Sequence, residues 1–176
     1  MTAAEKEYGG ALFALASEEN LLDEVAQGLR AALAAIRENP EYLKLVENPA
    51  VKKDERLALL DGAFRGNVHP YVLNFLKILC ERGMLASLPG CCDEYRDSLY
   101  EARGILPVTA WTAAPLDEKQ TKALTEKLEK TTGKQVLLTC RTDALLLGGV
   151  RLSYAGRELD GTVKGRLDKL REILTD

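Results

Sequence analysis

A change of hydrophobic period near residue 104 constrains this chain more than any other feature. Up to Arg103, apolar residues return every three or four positions with helix formers between them, the repeat of helices that bury one face. After Gly104 the pattern shifts, and Ile105, Val108, Ala110 and Trp111 suit an extended strand that ends at Ala113-Ala114-Pro115. The expected class is therefore α+β, with an N-terminal six-helix antiparallel bundle over residues 1–104 and a small C-terminal α/β domain over 105–176.

Punctuation divides the first block. Tyr8, Leu12, Leu15 and Ala16 share one face of a first helix, with Glu5, Lys6 and Glu18 toward water. Asn20 is expected to cap the second helix, whose stripe of Leu21, Leu22, Val25, Leu29, Leu33 and Ile36 runs until Asn39-Pro40 stops it. Short helices are expected over 41–47, ended by Asn48-Pro49, and over 53–64, ended by Gly66-Asn67. Pro70 suits a first helical turn, and Val72, Phe75, Leu76 and Leu79 then line a face that runs to Gly83. Helical spacing resumes at Leu85 through Tyr95, Leu99 and Tyr100, with Pro89 kinking or restarting it.

In the second block, residues 116–131 read as an exposed amphipathic helix, with Asp117 and Glu118 in its first turn and Leu124 and Leu128 inward. Residues 135–141 form a short apolar strand. Val150, Leu152 and Tyr154 alternate with Arg151 and Ser153 before a turn at Ala155-Gly156, the signature of a further strand pair. Asp160 or Thr162 would then cap a final helix facing inward with Val163, Leu167, Leu170 and Leu174.

Composition excludes several functions. The 176 residues carry a net charge of -3 with both signs interleaved, so no field gathers nucleic acid onto the surface. The longest apolar run, Ala144-Leu145-Leu146-Leu147, falls far short of the roughly 20 residues of a membrane-spanning helix, and direct membrane insertion is not expected. The N-terminus has no basic-then-apolar layout of a secretory signal, so a cytosolic chain is expected. Its four cysteines, Cys80, Cys91, Cys92 and Cys140, have no CxxC spacing and read as reduced, structural thiols.

Reactive chemistry is equally scarce. With one histidine, His69, ahead of Pro70 at a helix entrance, neither a His-pair metal site nor a Ser-His-Asp triad can be assembled. Adjacent helical residues such as Cys91 and Cys92 point about 100° apart, which disfavours a disulfide. Gly148-Gly149 lacks the GK[ST] ending of a phosphate loop and precedes a strand. Asp23, Glu24, Asp93, Glu94, Asp117 and Glu118 fall on expected solvent faces. No catalytic residue, cofactor or metal is expected; the chain offers scaffolding and surfaces.

Three segments carry a family resemblance. The stretch Gly148-Gly149-Val150-Arg151-Leu152 through Gly156, followed by Asp160-Gly161-Thr162-Val163-Lys164-Gly165-Arg166-Leu167, resembles the C-terminal signature of ATP synthase delta subunits. Gly149, Gly156, Asp160, Thr162, Val163, Arg166, Leu167 and Leu170 stand at its positions. Tyr8-Gly9-Gly10-Ala11-Leu12-Phe13-Ala14-Leu15-Ala16 is similar to the family's opening, with glycine at 9 where alanine is commoner, a change that weakens a helix by up to about 1 kcal/mol. Asn74 through Leu85 resembles the family's fifth helix and its glycine exit. The mitochondrial oligomycin-sensitivity conferring protein is similar too, but no transit peptide precedes Tyr8, which points to a bacterial form at the cytoplasmic face of the cell membrane.

The resemblance implies a non-catalytic stator subunit of a rotary, proton-translocating ATP synthase that connects the alpha/beta head to the peripheral stalk. It implies that the bundle receives the N-terminal helix of an alpha subunit between its first and fifth helices, where Tyr8, Ala11, Leu15, Phe75 and Ile78 are the candidates. It implies further that the C-terminal domain contacts the end of the b-type stalk subunits. A free-standing helical adaptor or regulatory protein would share the bundle but has no need of the ending from Gly149 to Leu170. A thiol oxidoreductase would instead need Cys91 or Cys92.

Overall fold

The computed structural model describes residues 1–154 and 156–162, and within them the chain forms seven α-helices and a four-stranded mixed sheet, an α+β architecture. It divides into two compact units, residues 1–99 and 100–176.

Local chemistry sets the helix ends in the first unit. Helix α1 (Ala3–Glu18) starts on a capping box, in which the Thr2 hydroxyl accepts the Glu5 N–H and the Glu5 carboxylate accepts the Thr2 N–H. Its exit corrects the expectation for Asn20. That residue takes a left-handed φ of 57° just past the C-cap, its N–H donates to the Ser17 carbonyl, and the Leu21 N–H donates to the Ala16 carbonyl. This is a Schellman ending, so Asn20 closes α1 and does not cap α2 (Leu22–Glu38), which begins without a side-chain cap. Asparagine serves both positions in sequence statistics, and only the backbone angle separates them.

Helices α3 (Pro40–Glu47) and α4 (Lys53–Phe64) follow where the prolines and glycines place them. Helix α5 (Pro70–Glu81) has Pro70 in its first turn and His69 as its N-cap, whose Nδ1 accepts the Tyr71 N–H at 3.2 Å. It leaves by a second Schellman ending at Gly83, where φ is 66°. A single 3₁₀ turn at Leu85–Ser87 precedes α6 (Leu88–Ala102), so Pro89 sits in the first turn of a new helix and restarts it.

The core of this unit gathers Leu12, Ala16, Val25, Leu29, Ile36, Leu60, Val72, Leu76, Leu79, Leu88 and Tyr95, among others. Burying one such large side chain contributes about 1.5–3 kcal/mol. The Tyr95 ring packs edge-on to Phe13 at 5.8 Å, and its hydroxyl donates to the Leu22 carbonyl at 2.9 Å, tying α1, α2 and α6 together. Gly9 explains its own departure from alanine: a Cβ there would lie 2.6 Å from the Cys91 carbonyl and 2.8 Å from the Glu94 Cβ. The lost helix propensity is exchanged for a close crossing of α1 on α6.

In the second unit β1 (Ile105–Thr112) pairs in parallel with β2 (Gln135–Thr142) through the crossover helix α7 (Glu118–Thr132). Asp117 is the N-cap of α7 and forms a capping box with Gln120, one residue ahead of the first turn expected for it. Strands β3 (Gly149–Tyr154) and β4 (Arg157–Thr162) complete the sheet in the order β2-β1-β3-β4, with antiparallel β1/β3 and β3/β4 ladders. Asp160 and Thr162, either of which was expected to cap a following helix, are the last residues of β4 with Gly161 between them. The helix expected beyond them, with Val163, Arg166, Leu167, Leu170 and Leu174, lies outside the described residues.

Candidate functional site

The adjacent thiols of Cys91 and Cys92 are poor nucleophiles. All four cysteines are free; Cys80 and Cys91 are buried, Cys92 is half-buried and Cys140 exposed. Burial pushes the Cys91 thiol up to about 11, with the Glu5 charge adding to it, and pushes Cys92 up to about 12, aided by Cys91 and Asp93. The thiolate is the reactive form, so neither supports redox chemistry near neutral pH. His69 is occupied as a helix cap. Among the described residues no three metal-ligating side chains cluster, and no helix is long and apolar enough to cross a membrane.

The exposed apolar positions are more informative. Of the five candidates on α1 and α5, Ala11 is exposed, Leu15 is 38% exposed and Ile78 is 46% exposed, whereas Tyr8 is half-buried against the core and Phe75, at 6%, is part of it. Tyr8, Ala11 and Leu15 follow a three-and-four spacing on α1, and Phe75 and Ile78 are three apart on α5, so each helix turns one face from core to solvent. Both helices pack on α2. Leu15 and Ile78 are the large apolar side chains of this set that the fold leaves in water.

The signature residues in the second unit act on backbone geometry. Gly149 has φ 86°, and a Cβ there would lie 2.5 Å from the Gly161 carbonyl oxygen and 2.7 Å from the Thr162 Cα. Gly156, at φ 73°, makes the turn between β3 and β4. The Asp160 carboxylate accepts the Thr162 N–H at 2.8 Å, and Thr162 is buried. Val163, Arg166, Leu167 and Leu170 lie outside the described residues.

One cluster escapes a reading by motif. Trp111 on β1 stands opposite Arg141 on β2 and Arg151 on β3, and both guanidiniums lie over its ring, at 5.4 and 5.6 Å from the centroid. Just beyond, the β2–β3 loop carries Leu145 at 89% and Leu147 at 82% exposure. The loop is held by Asp143: one carboxylate oxygen accepts the Leu145 N–H at 3.0 Å, its carbonyl accepts the Leu146 N–H at 3.1 Å, and its N–H donates to the Thr112 carbonyl at 2.9 Å. The Arg151 guanidinium meets the other Asp143 oxygen at 3.4 Å. Composition marked this run of leucines only as too short for a membrane; the glycines that end it were the available sign of a loop.

The exposed features of the described residues are apolar side chains on two compact units, the kind of surface that another protein segment covers. Comparison with known proteins identifies the family. Residues 4–174 match the family model described as ATP synthase delta (OSCP) subunit. The chain is 33% identical over 164 residues to the ATP synthase subunit delta of Synechococcus elongatus, covering 93% of this chain and 91% of that one. It is 32% identical over 170 residues to that of a Geobacillus species, covering 96% and 95%. Its fold matches a chain in the cryo-EM structure of the Toxoplasma gondii mitochondrial ATP synthase hexamer with a TM-score of 0.75 and 27% identity, covering 100% of this chain and 99% of that one. The chain belongs to the ATP synthase delta (OSCP) subunit family. It is a non-catalytic structural subunit, a stator component at the periphery of the ATP synthase.

Proposed function

We propose that this subunit joins the catalytic alpha/beta head to the b-type peripheral stalk of a proton-driven synthase at the cytoplasmic face of a bacterial membrane. In this reading residues 1–104 act as a six-helix antiparallel bundle that receives the N-terminal helix of an alpha subunit along α1 and α5, and residues 105–176 form the domain that meets the end of the stalk. The observation that carries the first contact is the pair Leu15 and Ile78, exposed on helices whose other large apolar residues are mostly covered. Ala11 between Tyr8 and Leu15 leaves room for a helix backbone to approach. Tyr8 and Phe75 would shape the groove from beneath.

A stator resists torque, so its connector needs more than one attachment. Each apolar side chain buried contributes about 1.5–3 kcal/mol, while association costs on the order of 4–15 kcal/mol. Several anchors in one groove exceed that cost. A second contact through the other unit then acts at a high effective concentration, holding what neither contact holds alone.

The test is affinity capture of the tagged chain from its host's detergent-solubilised membranes, with identification and stoichiometry of what accompanies it. Alpha, beta and b-type subunits with one copy of this chain are expected, and the double substitution Leu15→Ser with Ile78→Ser should release alpha and beta while b-type subunits stay. Return of the wild-type chain alone would overturn the proposal.

A further inference from the structure

We propose that Glu5 is a positioning residue, a charge lock that holds the start of α1 on the first turn of α6 and so fixes the rotation of α1 about its own axis. The lock goes beyond the two attachments proposed above and stands whether or not α1 lines a groove.

A carboxylate heads the buried face of α1. Gly9, Leu12 and Ala16, the buried residues of that helix, lie four, seven and eleven positions beyond Glu5, the spacing of a single helical face. Expected in water, Glu5 is instead half-buried. Its surroundings leave room for it. One carboxylate oxygen accepts the Thr2 N–H, and the same oxygen lies 2.6 Å from where a Cβ on Gly90 would stand, with the Glu5 Cδ nearer still. Gly90 is in the first turn of α6, at the positive end of that helix's dipole, where a negative charge is stabilised. One turn further along α1 the relation is reversed, and Gly9 admits the Cys91 carbonyl and the Glu94 Cβ of α6. Two glycines, one on each helix, thus clear the crossing: Gly9 for the backbone of α6, Gly90 for the carboxylate of Glu5. The Glu5 charge also reaches Cys91, where it adds to burial in pushing that thiol up. With Glu5 and Gly9 held on α6, Leu15 and Ala11 point roughly 80° and 120° away around α1, and both are exposed.

Glu5→Gln separates the lock from the capping box. Glutamine serves that box as glutamate does, so a residue that only caps loses nothing by the change, whereas a charge lock opens. Two buried thiols of the same unit report the difference in the full chain. Cys91 follows Gly90 at the crossing, and Cys80 lies away from it on α5, with its Sγ against the Val46 carbonyl. The measurement is the alkylation rate of each thiol by N-ethylmaleimide under native conditions at low salt, read by peptide mass mapping. Glu5→Gln is expected to raise the Cys91 rate about three- to tenfold and to leave the Cys80 rate unchanged. Salt at about 1 M, where the Debye length is about 3 Å, should raise the wild-type Cys91 rate toward that of the variant. Gly90→Ala should act as Glu5→Gln does, since its methyl takes the place of the carboxylate even though alanine favours the helix. The double variant should be no faster than either single one. Equal Cys91 rates in wild type and Glu5→Gln would overturn the lock. So would a Cys80 rate that rises in step with Cys91, because Glu5 would then stabilise the whole unit and position nothing.

Discussion

The two units hold themselves together by different means. In the helical unit a large apolar interior does most of the work: Leu60, Leu76, Leu79 and Val25 have no measurable exposure, and Tyr95 adds a ring contact and a hydrogen bond. In the sheet unit, among the described residues, the buried apolar set is Val108, Ala110 and Val136, and α7 has no buried residue at all. There, turn glycines, a capping box and strand ladders carry more of the specification. A unit with a deep core tolerates exposed apolar side chains such as Leu15 and Ile78 on its helices. Among the described residues of the sheet unit, the most exposed apolar side chains stand on a loop that backbone hydrogen bonds and Asp143 fix.

Substitutions can break that contrast, and each unit has its own reporter: helical circular dichroism is dominated by the first, and Trp111 fluorescence reports the second. Leu76→Ala, at a fully buried site in α5, should lower stability by about 2–5 kcal/mol in urea unfolding followed by dichroism; a loss under 1 kcal/mol would mean the interior is not as closely packed as described. Gly149→Ala should cost about 1–3 kcal/mol read at Trp111, because φ 86° and the Gly161 carbonyl both oppose a Cβ. Gly9→Ala sets about 1–3 kcal/mol of overpacking at Cys91 and Glu94 against about 1 kcal/mol of recovered helix propensity. The balance should be destabilising, and a gain would show that α1 and α6 can separate without loss. Asp117→Ala removes the α7 cap and should cost about 1 kcal/mol at Trp111.

The smallest effect is a pH dependence. Hydrogen bonds from Lys77 and then Arg65 hold the Asp61 carboxyl below the usual carboxylate range. A carboxylate depressed in the folded state stabilises above its unfolded value, and that contribution is lost as pH falls through the folded value. The stability difference between wild type and Asp61→Asn should therefore be present at neutral pH and close below about pH 4. A difference that stays constant into acid would remove this link between α4 and α5 from the account.

Much of the architecture is legible in the residues because it depends on neighbours in sequence. Asn39-Pro40, Asn48-Pro49 and Gly66 end helices through backbone restrictions they carry wherever they occur, and Pro70 starts one for the same reason. Asn20 was misread because its role depends on a left-handed φ that both helix ends compete for. Asp160 and Thr162 close β4, with β3 paired to them as strand, and the helix that either was expected to cap lies outside the described residues. Among the groove candidates, a three-and-four spacing identifies a face but not what covers it, so Phe75 in the core and Ile78 in water were equivalent in sequence. The Trp111 cluster was out of reach, since its arginines come from two other strands.

By itself the sequence determined the change of hydrophobic period near residue 104, the α+β class, nearly all helix ends and, through its glycine-rich ending, the family. Those properties follow from period, capping and backbone stereochemistry, which act over a few residues. Tertiary structure decided the strand order β2-β1-β3-β4, the close crossing at Gly9, which members of an apolar stripe stay in water, and the meeting of Trp111 with Arg141 and Arg151. Each of these depends on which surfaces meet across long stretches of chain, and burial is a property of that meeting and not of any residue alone.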